Sequence, residues 1–209
     1  MIIESVAKDK KHCVCVVVGG ERLLIDRDVA AEYSLRSGRE ITAGELQEVC
    51  ERSEYVRARE RALWYLDRAD RTERTLYKKL REAGFRETAA AKVIARLREL
   101  GLLDDRRYAQ NAADSLARQN ISPREIKRRL YEKGVPREII NEVCDGCDID
   151  EAAQIRALID KKYRNKLGCR ADVERVYAAL VRRGFSFGAV REALRRYSEE
   201  LENLSEESV

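Results

Sequence analysis

Few residues in this chain are of types and spacings that could do covalent or metal chemistry. Cys144-Asp-Gly-Cys147 has the spacing of half a zinc site, in which two thiolates share one metal ion. Cys169 and His12 would have to complete the set, and nothing in their spacing provides for it. The pair Asp104-Asp105 could hold a divalent cation, but it stands where a helix must begin. Carboxylates there cap the helix and favour its dipole. The single histidine, His12, falls at the start of a predicted strand and reads as a hairpin surface residue. No GxxxxGK(S/T) phosphate loop, GxGxxG turn or GxSxG elbow occurs. The residues therefore predict no catalytic group, no metal and no cofactor.

The basic side chains are more informative. Arg74 and Lys78 lie four apart, on one side of a predicted helix, with Lys79 and Arg81 nearby. Fifty residues on, Arg124 and Arg128 stand in the same places, with Lys127 and Arg129 nearby. A further fifty residues bring Glu174 and Ala178, so the pattern lapses there, with Arg182 and Arg183 further along. The first eight are the candidate contacts to an anionic partner. Residues 54–197 carry a net charge of +11, against −2 for 1–53 and −5 for 198–209. A polyanion or an acidic protein surface fits the basic region.

These positions recur because the chain repeats. Thr72 to Phe85, Ser122 to Val135 and Asp172 to Phe185 align at a period of 50 residues. Helix-capping types sit at Thr72, Ser122 and Asp172. Pro123 fits a first helical position, and Glu125 has the spacing to complete a capping box with Ser122. Leu76, Ile126 and Val176, then Leu80, Leu130 and Leu180, place apolar residues four apart on one face. Gly84, Gly134 and Gly184 end each copy, and Phe85, Val135 and Phe185 close over the end. One such helix cannot bury its stripe alone, so a period of this length predicts stacked helical modules.

The predicted fold is mainly α: three tandem three-helix modules in an elongated curved stack, preceded by a small antiparallel β-sheet with short helices. Residues 1–53 form the sheet part, two or three strands drawn from Ile2 to Val6, His12 to Val18 and, as the returning strand after a turn at Gly19-Gly20, Arg22 to Ile25. Short helices follow at Asp28 to Tyr33 and Glu45 to Arg52, and the composition changes near Ser53. Module one spans 54–103, module two 104–147 and module three 148–204, with an acidic, frayed tail at 205–209. The first helix of module one, 54–67, would bury Val56, Leu63, Trp64 and Leu66. Tyr65, Tyr108, Tyr131, Tyr163 and Tyr177 read as packing residues with a wet hydroxyl. Asn165 to Gly168 reads as extra length. The apolar run Cys13 to Val18 is too short to cross a bilayer, and the N-terminus lacks the order of a signal peptide. A cytoplasmic protein with six reduced thiols is expected.

Arg71-Thr72-Glu73, then Leu76, Lys79-Leu80 and Gly84, resembles the signature of RecX regulatory proteins. So does Gly101-Leu102-Leu103-Asp104-Asp105 followed by Tyr108-Ala109. The resemblance covers about 54–200, and module three carries it less faithfully. It implies a non-enzymatic regulator that binds along the groove of the RecA–DNA filament and restrains strand exchange, ATP hydrolysis and co-protease activity. It supplies no catalytic residue. The partners implied are the RecA filament and DNA, directly or through RecA, with no membrane and a monomeric chain. A stand-alone DNA-binding protein and a helical scaffold for other proteins are the competing readings of the same basic repeat.

Overall fold

The computed structural model describes residues 1–9, 12–146, 150–164, 167 and 170–206, with backbone only at 170, 196 and 198–206. The described residues form two compact units, Met1–Asp104 and Asp105–Val209.

The first unit opens with an antiparallel meander, β1 (Ile3–Lys8), β2 (Cys13–Val18) and β3 (Glu21–Asp26), in the order β1-β2-β3. Strand β2 alternates, with Val14, Val16 and Val18 buried. That is the period of a strand with one face in a core. Asp26 ends β3 and caps α1 (Arg27–Glu32), its carboxylate accepting from Asp28 N–H at 3.0 Å and Val29 N–H at 3.3 Å.

The next helix overturns an expectation. A break near Ser53 is predicted, but α2 is one helix of 26 residues, Ala43–Arg68, capped by Thr42. Its only glycine, Gly44, lies at the start, and it holds no proline, so nothing local stops it. Ser53 is buried at its midpoint, and its Oγ accepts the Asp26 N–H at 2.7 Å. Ser53, where the composition changes, is thus a fixed contact to the sheet. The N-terminal half of α2 packs Leu46, Val49, Cys50 and Val56 on the sheet. The C-terminal half packs Ala58 and Ala62 on α3 (Glu73–Glu82) and α4 (Glu87–Glu99), whose core includes Leu76, Leu80, Phe85, Val93 and Leu97.

Leu63 and Trp64, expected inside, are 41% and 44% exposed. The stripe that is buried runs through Tyr55, Ala58, Ala62, Tyr65 and Leu66, at helical spacing. Its alanines leave room for the neighbouring helices to come close, and Leu63 and Trp64 fall off that face.

The second unit holds α5 (Asp105–Arg118), α6 (Pro123–Glu132) and α7 (Arg137–Gly146), then α8 (Glu151–Lys162), α9 (Arg170–Arg182) and α10 (Phe187–Glu206). One core joins Ala109, Ala113, Ile126, Leu130, Val135, Ile140 and Val143. Another joins Ile155, Leu158, Ile159, Val176, Leu180, Phe185, Val190 and Leu194. Helix α10 continues into the acidic tail as far as Glu206, and residues 207–209 lie outside the described set. So do all of Asn165 to Gly168 but Leu167.

The repeat governs the helix ends. Gly84, Gly134 and Gly184 have φ of +90°, +83° and +90°, the region where a side chain is strained. After each glycine the N–H reaches back to the helix: Phe85 to Leu80 O, Val135 to Leu130 O and Phe185 to Leu180 O, at 3.2–3.3 Å. These are the closing bonds of a Schellman motif, and they satisfy carbonyls the helix leaves unpaired.

Two caps differ from expectation. At α6, Ser122 accepts from Glu125 N–H, but the Glu125 carboxylate holds arginines in place of the reciprocal capping-box bond. The box forms instead at α3, between Thr72 and Thr75. In the third copy the helix begins at Arg170, so Asp172 lies in its first turn and accepts from Arg175 at 3.0 Å. Modules two and three meet where Ser122 Oγ donates to Arg183 O at 2.6 Å. Nearby, the buried Gln154 of α8 donates to Ala117 O of α5 at 3.0 Å.

Candidate functional site

The candidate contacts lie on α3 and α6, each a short helix with a buried apolar face, Leu76 and Leu80 on α3 and Ile126 and Leu130 on α6, and a solvent-facing side. On α3, Arg74 and Lys78 are exposed. Lys78 has only a loose pair with Glu82, at 3.7 Å with both side chains more than half exposed. Lys79 is turned inward, its ammonium 5.5 Å from the centre of the Tyr65 ring. Arg81 donates to Phe85 O at 2.5 Å, past the end of its own helix. Four cations predicted as one face therefore divide into two that face solvent and two that tie down the helix and its exit.

On α6 the division is sharper. Arg128 grips Glu125 with two parallel bonds of 2.7 Å, from Nε and Nη2, and reaches Glu132 with Nη1. Arg129 donates to the same Glu125 carboxylate at 2.8 Å. Those hydrogen bonds, Arg128 first and Arg129 second, lower the Glu125 pKa to about 2, and Glu125 in turn raises that of Arg128. Lys127 pairs with Asp145 at 3.0 Å. Among the described residues Arg124 is the one α6 cation without an ion pair, and Arg74 is its counterpart on α3. Arg74 on α3 and Arg124 on α6 are thus each the least committed cation of their helix.

In module three, Arg182 and Arg183 do not extend this face. With Arg129 and Lys162 they line a cleft of about 380 Å³ between α6 and the third module. The cleft also contains Glu125 and Ser122.

The other candidates for chemistry have structural places. His12 is exposed in the turn before β2. Helix α5 begins at Asp105, which is buried. Cys144 packs against the α5–α7 core, while Cys147 and Cys169 lie outside the described residues. Burial raises the pKa of Cys13 and Cys50, which favours the unreactive thiol. Among the described residues, no group of three His, Cys, Asp or Glu is placed to hold a metal ion. None of the described helices is long and apolar enough to cross a membrane. Of the tyrosines, Tyr65, Tyr108, Tyr163 and Tyr177 pack against cores as expected. Tyr131 does not: it is half exposed, with Arg137 5.3 Å from its ring centre.

Sequence reading missed one cluster. Trp64, assigned to the core, lies outside it with Arg61 and Arg68 against its ring. The signal was the spacing, since Arg61 and Arg68 stand three before and four after the tryptophan, on its side of the helix.

Three family models match in tandem. RecX, first three-helix domain, covers residues 58–97; the second three-helix domain covers 104–143; the third covers 149–194. Together they take in more than half of the chain. The chain belongs to the RecX family. The matches run from the C-terminal half of α2 to α4, from the residue before α5 to α7, and across α8 to α10, so each RecX domain coincides with one helical core. Relatives called regulatory protein RecX include one from Streptococcus uberis, 25% identical over 197 residues, covering 91% of this chain and 75% of that one. Another, from Chlorobaculum tepidum, is 37% identical over 123 residues, covering 57% of this chain and 75% of its own. A crystal structure of regulatory protein RecX superposes with a TM-score of 0.69 at 24% identity, covering 93% of this chain and 98% of that one. RecX from Lactobacillus salivarius gives 0.64 at 22% identity, over 68% of this chain and 96% of its own. At these identities the structural likeness speaks for the fold.

Proposed function

We propose that this RecX-family chain is a non-enzymatic, monomeric regulator of a RecA recombinase in the cytoplasm. It binds in the groove of the RecA–DNA filament and mainly inhibits ATP hydrolysis, strand exchange and co-protease activity. The observation that carries this reading is the tandem match of all three RecX domains. The outward cations of α3 and α6 support it, because they recur at one period and suit a partner that itself repeats. Arg74, Lys78 and Arg124 are the leading contacts, to acidic protein surface or to DNA phosphates. Arg128 joins them by exchanging Glu125 or Glu132 for the partner, while Lys79, Arg81, Lys127 and Arg129 set the shape of the face.

The test is ATP hydrolysis by the cognate RecA on single-stranded DNA, with this protein titrated to equimolar. A dose-dependent fall is expected. An indifferent RecA across that range would refute the inhibitory reading. The charge of +11 over residues 54–197 favours a second reading, stand-alone DNA binding. That reading requires tight binding without RecA and a steep loss of affinity with salt.

A further inference from the structure

The surface around Trp64 has no part in the contacts proposed above. The indole is 44% exposed on α2, beside the exposed Leu63. The Arg68 guanidinium carbon lies 3.5 Å from the ring centre, and that of Arg61 lies 5.4 Å away. Tyr65 meets Trp64 edge to face, with centres 5.2 Å apart and planes at 76°. Arg71 and Lys79 lie 5.6 and 5.5 Å from the Tyr65 ring. Two adjoining aromatic rings thus carry four cations, drawn from α2, the segment after it, and α3. Among the described residues none of these four has a carboxylate ion pair, so each keeps its charge available to a partner. Residues 57–81 hold nine basic side chains and four acidic ones.

An exposed indole layered with a guanidinium is a flat, polarisable surface rimmed by positive charge. Nucleobases stack on such surfaces whatever their identity, while nearby cations meet the phosphates. An acidic peptide would satisfy the cations but has no flat face to offer the indole. A duplex keeps its bases stacked inside and presents mainly phosphates to this surface. We infer that Trp64, with Arg61 and Arg68, is a platform for single-stranded nucleic acid, on which a base stacks while the adjoining phosphates meet Arg61 and Arg71. This deepens the filament reading and rests on it for its setting, since the strand within reach would be one that the filament leaves accessible.

Trp64 is the only tryptophan, so its fluorescence reports on this surface alone. The full chain, without recombinase, is titrated with an oligothymidylate of about 12 nucleotides, within the length such sites cover. Saturable quenching is expected, with little change from an abasic strand of the same length or from polyglutamate. Trp64→Leu, at an exposed position, should weaken binding of a labelled oligothymidylate by about five- to a hundredfold in anisotropy, with an unchanged circular dichroism spectrum. Arg61→Ala or Arg71→Ala should reduce the logarithmic salt slope by roughly 0.7 where one phosphate contact is lost. The platform is overturned by emission that ignores oligothymidylate, by equal quenching with the abasic strand or polyglutamate, or by wild-type affinity in Trp64→Leu. Inhibited RecA with silent Trp64 emission would sink the platform and leave the filament reading standing. Quenching with an indifferent RecA would do the reverse.

Discussion

Replacing Gly184 with alanine should damage this protein more than the same change at Gly84. Both residues end a helix at φ +90°. Alanine in that conformation costs about 1–2 kcal/mol, offset by roughly 0.4–1 kcal/mol because the unfolded chain loses freedom. The net expectation at Gly84 is about 1 kcal/mol, since a methyl group there would meet nothing within 4 Å. At Gly184 the methyl would come within 2.8 Å of Ser122 Oγ and 3.4 Å of Arg124 Cβ. Ser122 cannot yield freely. Its Oγ donates to Arg183 O at 2.6 Å and accepts from Glu125 N–H at 3.3 Å, and the residue is 1% exposed. Displacing it weakens two hydrogen bonds of about 0.5–1.5 kcal/mol each. Gly184→Ala should therefore cost roughly 2–4 kcal/mol. Ser122→Ala alone should cost about 1 kcal/mol as a lost helix cap. In the double variant the hydroxyl that causes the clash is gone, so its cost should fall short of the sum by about 1–2 kcal/mol. Urea denaturation of the full chain, followed by far-ultraviolet circular dichroism, measures all four. Additivity within about 0.5 kcal/mol, or a Gly184→Ala no worse than Gly84→Ala, would refute the argument that modules two and three are locked at this contact.

The other predictions concern charge and core. Arg74→Ala, Lys78→Ala and Arg124→Ala combined should weaken filament binding in a co-sedimentation assay while costing the fold little, typically within about 0.5 kcal/mol per exposed position. Unchanged binding by the folded variant would move the contact surface elsewhere. Glu125→Gln should release Arg128 and Arg129 and so strengthen polyanion binding at low salt; an unchanged salt titration would contradict the pairing. Because the Glu125 pKa is lowered to about 2, its ion pairs contribute stability above the usual glutamate pKa, and lose it as pH falls through about 2. The pH-dependent stability difference between wild type and Glu125→Gln should appear in that window and stay within about 1 kcal/mol at this surface site. Leu80→Ala and Leu130→Ala, at positions 0% and 1% exposed, should each destabilise by roughly 2–5 kcal/mol in urea; a small shift in either midpoint would contradict its core assignment.

The sequence alone determined the local architecture. Thr72 and Ser122 cap their helices, Gly84, Gly134 and Gly184 end theirs, and the apolar stripe between is buried, because all of these depend on backbone energetics within one or two turns. The Glu125 pairs with Arg128 and Arg129 were not read, because Glu125 was assigned to a capping box, although the spacing of three and four residues on one helix allowed them. Tertiary structure decided what depends on which surfaces meet. Ser53 reads as a break but is fixed by a residue 27 positions away. Trp64 reads as core, yet Ala58 and Ala62 take the core face of α2, because small side chains let α3 and α4 approach and hydrophobicity alone does not choose between two faces of a helix. The same is true of Ser122 on Gly184: the cap was written in the sequence, but its 61-residue reach to Arg183 exists only because two modules pack together.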